Sequence, residues 1–148
     1  MIAIRLLAFC LAATSVCCGQ PSTVRWQHSI ETVSPHESVL VFKATVMPGW
    51  HLYSQHLPEG GPAPTRFSFE PAKDYQINDS TQEQGAAVTF HDDTYDMQIT
   101  WYSGTVTFRQ RVLVAHRPVT VRGRVAYMTC NTQVCRIFEE PFIFVVPQ

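Results

Sequence analysis

The sequence predicts an all-β domain built as an antiparallel sandwich, and three observations carry that expectation. Short runs rich in β-branched and aromatic residues recur along the chain, separated by turn residues. Thr105 to Val114 alternates, with Val106, Phe108, Gln110 and Val112 on one face and Thr105, Thr107, Arg109 and Arg111 on the other. That is the half-buried pattern of an antiparallel sheet. No run has helical period, and the 10 prolines suit strands and loops better than helices.

Met1 to Gly19 reads as a secretory signal. Arg5 supplies the positive n-region, Leu6 to Val16 the apolar core, and Cys17 and Gly19 the small residues at −3 and −1 for cleavage before Gln20. The apolar run is shorter than the roughly 20 residues of a membrane-spanning helix. Lipidation at Cys17 or Cys18 is the competing reading, although Thr14-Ser15-Val16 makes a poor lipoprotein cleavage site. The mature chain is then Gln20 to Gln148, a single domain outside the cytoplasm, where disulfides persist. Its 148-residue precursor is 45% hydrophobic, enough for a real core. The net charge of −1 and the lack of a basic block exclude nucleic acid and anionic membrane as partners.

Within the mature chain, Val24 to Val33 alternates loosely, and Ser38 to Met47 is a β-branched strand stopped by Pro48-Gly49. Trp50 to Tyr53 is a short aromatic strand. Pro58 to Pro64 (PEGGPAP) is a loop, because its prolines remove ladder donors. Thr65 to Glu70 alternates with Phe67 and Phe69 on one face. Asn78 to Gly85 is polar and is expected as a loop, Ala86 to Phe90 as a short strand, and His91 to Asp96 as an acidic loop interrupted by Tyr95. Met97 to Tyr102, Thr105 to Ala115 and Val119 to Met128 follow as strands, parted by Ser103-Gly104 and Arg117-Pro118, and Pro141 to Val146 closes the chain. Trp26, Trp50 and Trp101 are read as core. Eight or nine short strands in roughly 130 residues make the sandwich most simply immunoglobulin-like.

The chemistry is concentrated in Tyr127-Met128-Thr129-Cys130-Asn131-Thr132-Gln133-Val134-Cys135. Three of the five cysteines leave with the signal, and the remaining pair is an even count that fits one bond. An extended chain would part their Cα atoms by about 17 Å, whereas a disulfide needs about 4.4–6.8 Å. The bond therefore requires Asn131 to Val134 to fold back as a tight loop, which Asn131 is suited to begin. So small a ring contributes only about 2 kcal/mol, against roughly 3 kcal/mol for a 15-residue loop. That is modest for a staple and suitable for a bond that opens and closes. An immunoglobulin disulfide joins distant strands across the core; these cysteines are too close in sequence, so the sandwich must hold without one. A permanent structural disulfide remains an alternative. So does a zinc site with His51, His56 or His91, although no histidine stands at metal-finger spacing from either cysteine. The working expectation is no metal and no cofactor.

Three stretches give the chain a family resemblance. The first is Pro48-Gly49-Trp50-His51-Leu52-Tyr53-Ser54-Gln55, continuing through Pro58-Glu59-Gly60-Gly61-Pro62 to Pro64-Thr65. The second runs from Tyr95-Asp96-Met97 through Trp101-Tyr102-Ser103-Gly104 to Phe108. The third is Tyr127 to Cys135 with the following Glu139-Glu140-Pro141 and last strand. Together they resemble the N-terminal periplasmic domain of the bacterial thiol:disulfide interchange protein DsbD, over nearly all of the mature chain.

The resemblance implies an immunoglobulin-like domain whose two cysteines cycle between disulfide and dithiol. Such a domain takes electrons from a thioredoxin-like donor and passes them to periplasmic disulfide proteins. For this chain the implied partners are a thioredoxin-like redox protein and a membrane electron carrier of the DsbD/CcdA type, with the domain itself a monomer. Cys130 and Cys135 match the redox pair, and analogy makes Cys135 the cysteine that forms mixed disulfides. Tyr95 matches the aromatic residue of a cap loop that shields the pair, and Asp93 the acidic position of that loop, where a negative charge would raise a nearby thiol's pKa. His51 and Tyr53 fall on the strand that faces the cysteines. Arg136 is the nearest cation in sequence and would favour a thiolate at Cys135. The plain alternatives are an exposed loop tyrosine, a solvated acid and rim packing, in a non-catalytic binding module with a structural disulfide. Two local features depart from the family: four residues between the cysteines is at the short end, and Arg136-Ile137-Phe138 stands where relatives often have a proline pair. DsbD also continues into transmembrane and thioredoxin-like domains, whereas this sequence stops at Gln148.

Overall fold

The computed structural model describes residues 22–148. The signal assigned to residues 1–19 lies outside them. Eight strands follow in order: β1 (Val24–Ser34), β2 (Glu37–Val46), β3 (His51–Tyr53), β4 (Arg66–Phe69), β5 (Tyr75–Asp92), β6 (Met97–Val114), β7 (Val119–Cys130) and β8 (Cys135–Val146). Every pairing is antiparallel. Strands β5-β6-β2-β1 form one layer and β4-β7-β8 the other, and short β3 bridges them by pairing with both β6 and β7. The architecture is the expected immunoglobulin-like sandwich.

Aromatic rings from the two layers interdigitate between the sheets. Phe42 of β2 lies 4.9 Å from both Phe142 and Phe144 of β8, and Phe67 of β4 lies 5.1 Å from Phe108 of β6. The expected inward face of β6 is buried throughout, with Val106, Phe108 and Val112 at 0% exposure. Trp26 packs against Phe67, Phe108 and Tyr127 at the margin of this core. Trp50 is half-buried at its rim. Trp101 departs from expectation, because it belongs to a second, smaller cluster described below.

Two expected breaks are strand instead. Asn78 to Gly85 lies inside β5, which pairs only with β6 among the described residues and is an edge. An edge strand tolerates polar residues, since one side of its ladder faces water. Its irregularity is absorbed by a bulge at Asn78–Gln82, where Asp79 takes φ 61. The buried Gln110 amide fills that bulge: its Nε2 donates to the carbonyls of Asn78 and Asp79 at 2.9 and 3.2 Å, and Thr81 Oγ1 donates to its Oε1 at 2.7 Å. The second break, Ser103-Gly104, also lies within a continuous strand. There β6 keeps β5 on one side while its other partner changes from β3 to β2. Gly104 sits at φ 81 at that change of partner, a conformation costly for any residue with a Cβ. The last strand also starts at Cys135 rather than Pro141, because β7 offers it a full ladder.

Gly123 marks the tightest point of the second layer. It pairs with Phe69 on one side and Phe142 on the other. A Cβ there would overlap the Ser68 carbonyl oxygen and the Phe142 ring. One obstacle is backbone and the other a packed ring, so neither can yield cheaply. Gly123→Ala is expected to destabilise the domain by about 3 kcal/mol or more, read as a lowered urea midpoint at unchanged slope; a midpoint equal to wild type would contradict this packing.

Candidate functional site

The β7–β8 ladder ends on the cysteine pair. Cys130 is the last residue of β7, Cys135 the first of β8, and the two are direct cross-strand partners. They are joined by a disulfide with Cα atoms 4.0 Å apart. Asn131 builds the reversal as its composition suggests: its Oδ1 accepts the N–H groups of Gln133 and Val134, each at 2.8 Å, while its own N–H donates to the Val134 carbonyl at 3.0 Å. The side chain thus supplies the acceptor that a backbone turn would otherwise need.

The two cysteines occupy different environments. Cys130 is 2% exposed, whereas Cys135 is open to solvent. Cys130 packs in the second cluster with Tyr53 and Ile99, against Leu57, Phe90, Met97, Trp101 and Met128. Strand alternation explains why this cluster is separate. Leu52, Tyr102 and Tyr127 point into the main core, so their neighbours His51, Tyr53, Trp101 and Met128 point to the opposite face. The same strands therefore carry the core on one side and the buried sulfur on the other.

Strand β3 places His51 directly across from Cys130 and Tyr53 across from Trp101. The His51 ring stacks on Trp101 with centroids 3.9 Å apart and meets Tyr53 edge-on at 5.2 Å. Its Nε2 is 3.3 Å from the Tyr53 hydroxyl. Burial lowers the His51 pKa, which favours the neutral imidazole. Burial chiefly, followed by the negative charges available at Tyr95 and Asp92, raises that of Tyr53 and keeps its hydroxyl a proton donor.

Two loops border the cluster. In the β5–β6 turn, Asp92 Oδ1 accepts the N–H groups of Thr94 and Tyr95 at 2.9 and 3.2 Å. The Tyr95 ring is 41% exposed. Asp93 holds its carboxylate fully in solvent, 3.9 Å from His91 Nε2, so Asp92 is the loop acid whose charge reaches Tyr53. The Pro58–Pro64 loop rests on two methionines of the cluster. The Ala63 N–H points at Met128 Sδ at 3.4 Å, and a Cβ on Gly61 would lie 2.7 Å from Met97 Sδ. The loop base is tied down by Thr65 Oγ1, which donates to the Tyr53 carbonyl at 2.6 Å, and by Glu83, which accepts from the Ser54 hydroxyl and the Gln55 N–H.

Cys130, Cys135, His51 and Tyr53 are thus brought together. Arg136 turns the other way: its guanidinium lies 5.2 Å over the Trp50 ring, on the face of β8 opposite Cys135. Among the described residues no group of three His, Cys, Asp or Glu side chains could hold a metal ion. Sequence reasoning missed Phe90, Met97, Ile99, Trp101 and Met128. The available signal was Ile99-Thr100-Trp101-Tyr102, a strand apolar on both faces, which marks burial on both sides.

A β-sandwich that exposes one cysteine of a hairpin disulfide and buries the other has the form of a thiol–disulfide interchange domain. The chain belongs to the family of the N-terminal domain of thiol:disulfide interchange protein DsbD, whose family model matches residues 21–147. No curated protein sequence matches it. Among solved structures it resembles the N-terminal periplasmic domain of ScsB from Proteus mirabilis, with TM-score 0.64 and 14% identity over 88% of this chain and 49% of that one. The chain therefore spans about half the length of that neighbour. It also resembles the reduced N-terminal domain of Neisseria meningitidis DsbD, with TM-score 0.52 and 11% identity over 85% of this chain and 87% of that one. The GAE domain of yeast GGA1 shares the fold at TM-score 0.50 and 10% identity, over 86% and 96% of the two chains.

The half-buried His51 imidazole gives a pH dependence. Because burial disfavours the imidazolium, the unfolded chain binds that proton more tightly than the folded one. The His51 contribution is complete above its ordinary value of about 6.5 and is lost as pH falls below it towards the lowered folded value. His28, whose pKa burial also lowers, acts with the same sign. The urea midpoint is expected to fall between pH 7 and pH 5, and His51→Gln to fall less steeply; parallel profiles would remove His51 as the cause.

Proposed function

We propose that the domain relays electrons by thiol–disulfide exchange, with Cys135 as the sulfur that is attacked and Cys130 as the one that leaves. The single observation supporting this is the contrast between the exposed Cys135 and the 2%-exposed Cys130, since access determines which sulfur of a disulfide meets an incoming thiolate. A donor thiolate forms a mixed disulfide with Cys135 as the Cys130–Cys135 bond breaks, and Cys130 departs as a thiolate that takes up a proton. The donor's second thiolate then attacks its own sulfur in the mixed disulfide. Cys135 is released, the donor becomes a disulfide, and the domain has gained two electrons. The reduced pair passes them on by the same steps in reverse, Cys135 attacking the acceptor disulfide and Cys130 resolving it.

The donor is a thioredoxin-like protein charged by a membrane carrier of the DsbD/CcdA type, the acceptors are periplasmic disulfide proteins, and the domain works as a monomer after export. Family membership and the signal-like N-terminus support this placement, and among the described residues no helix is long and apolar enough to cross a membrane. His51 and Tyr53 form the wall beside Cys130. Tyr95 acts as a lid that a docking partner moves aside.

Two measurements test this reading. Alkylation and mass spectrometry of the untreated mature chain should find no free thiol, and reduced thioredoxin should open the bond, with a reduction potential well above the roughly −300 mV below which structural disulfides lie. A bond that thioredoxin leaves intact would return the pair to a structural role. For the lid, Tyr95→Ala should speed reduction by glutathione while leaving the unfolding midpoint nearly unchanged, and Tyr95→Phe should match wild type because the ring does the shielding. Stopped-flow rates that are equal for Tyr95→Ala and wild type would sink the lid.

A further inference from the structure

The outer face of β8 carries Cys135, Ile137, Glu139, Pro141, Ile143 and Val145 in alternation. Ile137 is 71% exposed, the most open large apolar side chain among the described residues, and Ile143 and Val145 are 55% and 60% exposed. The row is not continuous. An ion pair between Arg124 and Glu139 separates Ile137 from the other two. On its near side Ile137 lines one wall of a groove of about 490 Å³ whose other walls include the apolar Leu57, Pro62 and Ala126 and the charged Glu59 and Arg66. Val134, 44% exposed, flanks the same sulfur from the hairpin loop.

We propose that Ile137 and this groove seat an apolar side chain beside the reactive cysteine of the thioredoxin-like donor that exchanges with Cys135. The inference rests on the relay reading above and deepens it by naming the docking contact. Geometry brings the contact within reach. In a mixed disulfide the partner's Cα lies about 4.4–6.8 Å from that of Cys135. Ile137 stands two residues along the same face, about 6.6 Å away. The residues flanking the partner's cysteine therefore come within side-chain reach of Ile137. A standard interface covers about 800 Å² per partner, a disc of roughly 16 Å radius, which takes in the groove and Val134. Ile143, eight residues from Cys135 and so about 26 Å along the strand, falls outside it. A small thiol has no flanking residues, and its reaction is blind to Ile137.

The experiment compares the mature chain with Ile137→Ser and Ile143→Ser, reduced by thioredoxin as the protein thiol and by glutathione as the small one. Both positions are exposed, so urea midpoints should stay near wild type. Ile137→Ser is expected to slow reduction by thioredoxin about fivefold or more, with glutathione rates within twofold of wild type, and Ile143→Ser to change neither. Unchanged thioredoxin rates in Ile137→Ser, equal slowing by both thiols, or equal slowing in Ile143→Ser would each overturn the docking contact while the relay reading stands. A wild-type bond that glutathione opens and thioredoxin cannot would overturn the relay reading and the contact with it.

Discussion

The antiparallel ladder between β7 and β8 runs in unbroken register from Val119 opposite Val146 to Cys130 opposite Cys135, and the placement of the site depends on it. Strand side chains alternate strictly, so this register sends Val121, Val125, Tyr127, Phe142 and Phe144 into the core and Cys130, Met128, Cys135 and Ile137 to the other face. A slip of one residue would exchange the two sets. The buried aromatic set opposes such a slip, because a slipped β8 would put Phe142 and Phe144 in water and bring Glu139 inward. The core thereby fixes which way the sulfurs point, although it never touches them.

On the outer face a second and much smaller apolar cluster gathers around Cys130. It owes its existence to β3, only three residues long, which is wedged between β6 and β7 and is the element that joins the two layers. His51 and Tyr53 come from this wedge, Trp101 and Ile99 from β6 beside it, and Phe90 from β5 beyond. The loop of Pro58–Pro64 meets the cluster through thioether contacts rather than through ion pairs. The buried sulfur thus packs among apolar and neutral groups, with Arg136, the nearest cation in sequence, held over Trp50 on the far face.

Much of this was legible in the sequence because it depends on local chemistry. Period-two patterning gave the inward face of β6, prolines gave the Pro58–Pro64 loop, and Asn131 between two strand-like runs gave the hairpin that closes the disulfide. The GWHLYS and EGGP stretches carried the family because they combine turn residues and aromatics in a fixed order. The polar run at Asn78–Gly85 was misread for a physical reason: a strand at a sheet edge needs no apolar face where its partner strand supplies the ladder and a buried amide, Gln110, fills its bulge. Ser103-Gly104 was misread because the strand's continuity is maintained by the hairpin ladder to β5, which holds both sides of the break in place.

By itself the sequence determined the strand-rich fold, the hairpin, the pairing of Cys130 with Cys135 and the residues of β3 that would face them, since each follows from neighbours in the chain or from the order of its motifs. Only the tertiary structure decided that Cys130 is buried while Cys135 is open, that Arg136 faces Trp50, that Asp92 rather than Asp93 is the acid felt at Tyr53, and that Trp101 serves the site rather than the core. The reason is that burial and electrostatic reach belong to strands brought together across the sheet, and the two faces of β6 and β7 acquire different roles only when β3 and the bordering loops have closed over one of them.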